Sequence, residues 1–405
     1  ENGATPDFDI ATAKPVILDN NSKRPLVGII ELNPKIDLSK ENSDLYLETI
    51  LLHEITHILG FHFDLFQYFP GGLSRTIKSG NEKRTDVYKK FIITPRVVNF
   101  AKKYFNCDSL EGVELESQGH LPGSHWEARI LLGEYMNSDL YSPEQIISEF
   151  TLALLEDSGW YKVNYYTGGL MKFGKNGGCE FLNEDCIEIK NTIASIKFEN
   201  EFCKFMEDGW LPSCSSGRLS RTYCFSNENS VINNEKYVRY GNLGGRENAD
   251  YCPINDAYIN EEKNIYFVGN CYKGNGLYGS YTNYVGNEKI LNKDLPHILG
   301  EIYGSNSFCA LSSVTPIDKN GQLTKYKNIL HSMCYPMFCS NSRLTVQIND
   351  NFIVCPYEGG KVKLTGDYEG YLSCPDYNLL CTGTVMCNNM FDCVDKKSLA
   401  KPETY

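Results

Sequence analysis

Hydrophobic spacing divides the first part of the chain into short strands and strongly patterned helices. Lys14 to Leu18 and Pro25 to Leu32 are rich in Val and Ile, which predicts two strands joined through Asn20-Asn21-Ser22-Lys23-Arg24. Leu47, Ile50, Leu51, Ile55, Ile58 and Leu59 then recur at steps of three and four, the mark of an amphipathic helix. Ser43 and Asp44 are its N-cap candidates, and Gly60 is expected to stop it in a left-handed turn. Asp64 to Arg84 reads as loop, with Pro70-Gly71-Gly72 and Gly80-Asn81 as turn signals. Thr94-Pro95 opens a second helix through Val97, Val98, Ala101, Tyr104 and Phe105, ending at Cys107. A third is expected from the capping box Ser142-Pro143-Glu144-Gln145, through Ile146, Phe150, Ala153 and Leu154, to Gly159.

Further along, the texture changes twice. After Gly168-Gly169 and the stretch from Gly174 to Gly178, cysteines become dense from Cys179 to Cys252. From about Cys271, Tyr, Gly, Asn and Val with turn signals such as Asn320-Gly321 predict short strands. Cys355, Cys374, Cys381, Cys387 and Cys393 then staple a small module suited to adhesion or spacing. His297 and His331 have no partner at ligand spacing and read as structural histidines.

Composition narrows the setting. A chain of 405 residues can bury a large core and hold two or three domains. Its net charge of -12 argues against a nucleic-acid partner, because phosphate binding needs clustered Lys and Arg. The local basic run Lys89, Lys90, Arg96, Lys102 and Lys103 is expected to be a solvated face. The 16 cysteines lie between Cys107 and Cys393 and form no paired CxxC knuckles, so they predict an oxidised extracellular framework of up to eight disulfides. The sequon Asn20-Asn21-Ser22 agrees with a secretory route. No signal peptide, membrane-spanning run or lipid-anchor signal is visible, which leaves membrane attachment open.

The chemistry lies in the first helix. His53-Glu54-Ile55-Thr56-His57 puts two imidazoles four residues apart on one face, where they can converge on one Zn²⁺. Glu54 beside them reaches the water that the metal activates, takes its proton and later passes it to the leaving amine. A helix with two histidines at a core edge is the plainer alternative. The compact pattern HExxHxxGxxH needs a histidine at position 63, but Phe63 stands there and His62 falls one place early, so His62 is not expected to be a ligand. His120, His125, Glu111, Glu114 and Glu116 all remain candidates for the third position, and spacing does not choose among them.

The run from His53 to Phe61, a long insertion, then Gly123-Ser124-His125-Trp126-Glu127 and Glu134-Tyr135-Met136, resembles the leishmanolysin family. Arg24 to Ile30, Thr94 to Val98, Lys103 to Cys107, Gly177 to Phe181 and Ala249 to Pro253 resemble further family segments in the same order. The resemblance implies His125 as third zinc ligand, Met136 as the Met-turn residue beneath the metal, and no role for His120. By analogy with zincins, the strand before the helix pairs with extended substrate, making Gly28, Ile29 and Ile30 a candidate substrate ledge, with a purely structural strand as the equal alternative. The expected fold is α+β: a metzincin-type zincin catalytic domain followed by disulfide-rich mixed and mainly β C-terminal domains.

The corresponding divisions are 1–62 for the N-terminal catalytic subdomain, 63–122 for the insertion and 123–170 for the third ligand, Met-turn and closing helix. A cysteine-rich domain over 171–270 and a β-rich domain over 271–405 follow. Only 52 residues precede His53, fewer than the family's N-terminal region. Either an upstream segment has been cleaved and can stay bound as a partner, or the upper subdomain is reduced. The function implied is an extracellular or cell-surface zinc endopeptidase, with one Zn²⁺ per chain, acting on protein or peptide substrates. The rival is a noncatalytic surface or matrix protein that keeps the same fold.

Overall fold

In a computed structural model, the described residues are 10–34, 43–84, 87–117, 123–138, 144–165, 171–190, 193–203, 212–225, 240, 244–257, 269–271, 282–285, 288–291, 299–317, 330–340, 342–381, 385–387 and 393–395. The expected positions His120, Ser142, Pro143 and His297 lie outside them.

The first two strands, β1 (Ala11–Leu18) and β2 (Pro25–Leu32), form an antiparallel hairpin. It lies against helix α1 (Ser43–Leu59). Gly28 permits the close approach: a Cβ there would stand 2.4 Å from Ile58 Cγ2. The reason expected for the helix stop is corrected. Gly60 is not left-handed. Its N–H and that of Phe61 both donate to Thr56 O, at 3.1 Å each, and a Cβ on Gly60 would stand 3.3 Å from Leu155 Cδ2. Close packing, rather than a positive φ, calls for glycine there.

The stretch read as loop after α1 is structured. It holds a 3-10 helix over Phe63–Tyr68, the short helix α2 (Leu73–Thr76) and strand β3 (Ile77–Asn81). Gly80 and Asn81 are strand residues rather than a turn, paired with Lys89 and Tyr88. β3 joins β4 (Tyr88–Ile92) and β5 (Val113–Leu115) in an antiparallel sheet of order β3-β4-β5. Helix α3 (Pro95–Phe105) starts on its proline as the sequence predicts, and Asn106 ends it at φ 57°.

The third predicted helix is shorter than expected. After the single turn α4 (Ala128–Leu131), helix α5 (Glu149–Asp157) is capped by Ser148, whose hydroxyl accepts from Phe150 N. Ile146 is withheld from it: Ile146 N donates to Gly133 O and Ile146 O accepts from Tyr135 N, so the residues before Ser148 pair as extended chain. Gly159, at φ 75°, ends α5 as predicted.

One core joins these elements. Phe61, Phe66, Phe105, Trp126, Phe150, Phe173 and Phe181 are all buried within it, and it runs on through Ile254. Each fully buried ring contributes about 1.5–3 kcal/mol, so the insertion, the His125 segment and the first cysteine-rich stretch are held together mainly by aromatic packing. A second core fills a six-stranded sheet ordered Asn351–Val354, Arg343–Ile348, His331–Ser340, Ser307–Ser312, Tyr371–Cys374 and Gly360–Lys363. The chain is therefore mixed α and β with a mainly β second half.

Seven disulfides occur among the described residues: Cys107–Cys179, Cys186–Cys252, Cys203–Cys224, Cys214–Cys309, Cys271–Cys334, Cys339–Cys381 and Cys355–Cys374. Two of them, Cys214–Cys309 and Cys271–Cys334, fasten the six-stranded sheet to the middle of the chain. Among the described residues, no helix is long and apolar enough to cross a membrane.

Candidate metal centre

Helix α1 places His53 and His57 one turn apart, both buried and facing the same way. Each ring is tied from behind. His53 Nδ1 lies 2.7 Å from Tyr135 O, and His57 Nδ1 lies 2.8 Å from Phe61 O. A carbonyl oxygen only accepts, so each Nδ1 carries the proton and each Nε2 presents a lone pair. These Nε2 atoms stand 3.0 Å apart, and His125 Nε2 is 3.1 Å from that of His53.

Two lone pairs facing each other do not make a hydrogen bond. A cation between them does suit them: zinc–nitrogen bonds of about 2.0–2.1 Å in tetrahedral geometry put ligand nitrogens about 3.3 Å apart. The donor set therefore fits a first-row divalent metal, and all three ligand atoms lie within 4.8 Å of one another. Burial keeps the rings in their neutral, metal-binding form. It pushes the His53 pKa down to about 3, aided by His125, and that of His125 to about 4, and it holds His57 well below the usual histidine range. Glu54, next to His53 on the helix, is buried as well.

The insertion sheet delivers the third imidazole. Glu116 N donates to His125 O at 2.9 Å, Gly123 N to Glu116 O at 2.9 Å and Glu127 N to Glu114 O at 3.2 Å, so residues 123–127 run beside the end of β5. On the other side Trp126 N donates to Met136 O at 3.0 Å, and the buried indole donates to Thr151 Oγ1. Met136 is fully buried in a turn whose neighbour Tyr135 gives its carbonyl to His53 and its hydroxyl to Thr56 at 2.9 Å. The buried carboxylate of Glu134 shapes that turn, accepting from Met136 N, Ser148 Oγ and Thr151 Oγ1.

The remaining candidates have other partners. His62 Nδ1 accepts from Asp64 N at 3.2 Å and caps the 3-10 helix. Glu111 forms a surface pair with Lys78 at 2.6 Å. Glu114 takes both arms of Arg84, at 2.8 and 2.7 Å. Glu116 is buried, with Oε2 at 3.3 Å from His125 Nδ1. Gly28, Ile29 and Ile30 lie on β2, which pairs only with β1 among the described strands; Ile29 is exposed and the other two half-buried.

Lys89 corrects the solvated-face expectation. It is fully buried, with Nζ 2.5 Å from both Glu127 Oε2 and Asp250 Oδ2. Burial alone would lower its pKa, but Asp250, Glu127 and Glu114 outweigh this and hold the ammonium charged. Arg84 reaches the same Asp250 at 2.8 Å, so two cations face the second acidic cluster of Glu114, Glu127 and Asp250, in which burial and the neighbouring Asp250 push the Glu127 pKa up. Nothing in the local pattern of β4 marks Lys89 as buried, because its partners come from 38 and 161 residues away.

The similarity to known proteins extends well beyond this centre. A sequence model of the family described as leishmanolysin matches residues 9–387. The leishmanolysin-like peptidase of Drosophila pseudoobscura pseudoobscura is 28% identical over 414 residues, covering 88% of this chain and 58% of that protein. The leishmanolysin of Leishmania chagasi is 24% identical over 375 residues, covering 89% and 55%. A leishmanolysin homolog of Crithidia fasciculata is 30% identical over 239 residues, covering 58% and 34%. The chain thus spans less than two thirds of the length of these relatives. Because the match runs through both cores rather than over the helix motif alone, the chain belongs to the leishmanolysin family.

Proposed function

We propose that the chain is an extracellular or cell-surface zinc-dependent endopeptidase. The observation that carries this reading is the meeting of three imidazoles, with the Nε2 of His53 3.0 Å from that of His57 and 3.1 Å from that of His125. These rings would hold one Zn²⁺ per chain, and among the described residues no fourth His, Cys, Asp or Glu joins their cluster. A three-ligand set is the arrangement of catalytic rather than structural zinc. When bound there, zinc supplies a Lewis acid that polarises a scissile carbonyl and makes water a nucleophile near neutral pH.

The chain's own residues do the rest. Glu54, one position after His53, takes the proton of the attacking water and gives it to the leaving amine. Tyr135 O and Phe61 O fix the tautomers of His53 and His57. Met136 gives the site an apolar floor. On β2, Gly28, Ile29 and Ile30 offer main-chain groups to an extended protein or peptide substrate.

The divisions 1–62, 63–122 and 123–170 together form the catalytic unit in this reading, with 171–270 and 271–405 as its disulfide-tied support. The seven disulfides among the described residues support an oxidising location. Casein or gelatin digestion, with and without a zinc chelator, tests the proposal. Chelator-sensitive cleavage is expected; a zinc-loaded protein that cleaves neither substrate would favour the noncatalytic surface or matrix role instead.

A further inference from the structure

The three imidazoles are not held alike. His53 and His57 rest on main-chain carbonyls, whereas the Nδ1 of His125 lies 3.3 Å from a side-chain oxygen, Glu116 Oε2, an ion-pair distance without hydrogen-bond alignment. We propose that Glu116 is the positioning residue of the third ligand: a small turn of the His125 ring from its 3.3 Å contact lets the carboxylate accept the Nδ1–H, so that the Nε2 lone pair points at the metal. The inference rests on the zinc reading above and adds a residue to it.

The surroundings argue for a built contact. Glu116 and His125 lie on adjacent paired segments, with Glu116 N donating to His125 O at 2.9 Å, so backbone pairing sets the distance between their side chains. The other carboxylate oxygen, Oε1, accepts from Ser138 Oγ at 2.9 Å. Ser138 follows the turn that carries Tyr135 and Met136, so Glu116 ties the third ligand to the same turn that orients His53. A carboxylate behind a ligating imidazole fixes its tautomer and raises its basicity, and loss of such a partner costs about 10–100-fold in metal affinity.

The experiment reads tautomer and zinc affinity rather than turnover. In metal-free protein with ¹⁵N-labelled histidine, long-range nitrogen–proton spectra are expected to show His125 as the Nδ1–H form. Glu116→Leu is expected to bring in the Nε2–H form and to weaken zinc binding, measured by competition with a chromogenic chelator, by about 10–100-fold. Glu116→Gln keeps an acceptor oxygen and is expected to stay within several-fold of the parent. The proposal is overturned if the parent protein carries the His125 proton on Nε2, a measurement that stands even if Glu116→Leu does not fold. It is also overturned if Glu116→Leu binds zinc as tightly as the parent with the tautomer unchanged. Failure of the zinc reading looks different: His125→Ala would then leave zinc binding unaltered, whatever the tautomer.

Discussion

His53 Nε2 and His125 Nε2 stand 3.1 Å apart, although 72 residues separate them in the chain. The distance is set from both sides. α1 carries one ring, held from behind by Tyr135 O, and backbone bonds from Glu116 and to Glu114 place the segment that carries the other. A helix motif alone brings two imidazoles together; the three-stranded sheet of the insertion supplies the third.

Glu54 is expected to act on the proton and not on the metal. Glu54→Ala should lower casein cleavage by about 10²–10⁴-fold, the usual worth of general acid–base catalysis, while bound zinc stays at one per chain. Metal analysis beside the cleavage assay checks this. Cleavage at the parental rate would remove Glu54 from the chemistry.

The buried charges around Lys89 hold the His125 segment to β4 and to Asp250. Lys89→Met would leave Glu127 and Asp250 buried with less compensation, and removing one partner of such a network costs about 3–5 kcal/mol. Urea unfolding at neutral pH should show a loss of that size. A loss under about 1 kcal/mol, typical of surface pairs, would mean that the ammonium is solvated.

Gly28 sits where β2 crosses α1. The Cβ of Gly28→Ala would fall 2.4–2.5 Å from the Ile58 side chain, so the strand must move or the core must strain. Overpacking of this kind costs about 1–3 kcal/mol. If β2 also receives substrate, KM for a long peptide should rise more than KM for a dipeptide analogue. Unchanged stability would show that Ile58 yields freely.

His331 makes the second core sensitive to acid. Burial, then Arg221, holds its pKa down to about 4. In the unfolded chain a histidine titrates near ~6.5, so between these values the unfolded state binds a proton that the folded state refuses, and stability falls as pH drops. The contribution is fully present above ~6.5, and about 2 kcal/mol of it is lost between pH 7 and pH 5. Urea unfolding of His331→Gln at both values should show a drop smaller by that amount. An equal drop in parent and variant would mean that another group governs it.

Much of the site was legible because its signals are local. The spacing of His53 and His57, the apolar stripe of α1, Pro95 at the start of α3 and Gly159 at the end of α5 each depend on a few neighbouring residues. Only the family resemblance singles out the third imidazole, since spacing leaves His120, His125 and three glutamates open. What stayed hidden depends on distant partners. Lys89 looks like any surface lysine until Asp250 is folded against it. Ser142-Pro143-Glu144-Gln145 has the letters of a helix start, yet Ile146 is drawn into pairing with Gly133 and Tyr135, and Ser148 caps the helix instead. Gly60 marks the right place for a different reason: Leu155 packs where a side chain would be.

The central claim is most directly tested by titrating zinc into the metal-free protein while following casein cleavage. Activity should rise linearly and break at one equivalent per chain, and His125→Ala should show no such break. Cleavage that persists without metal, or a zinc-loaded protein that never cleaves, would contradict the account.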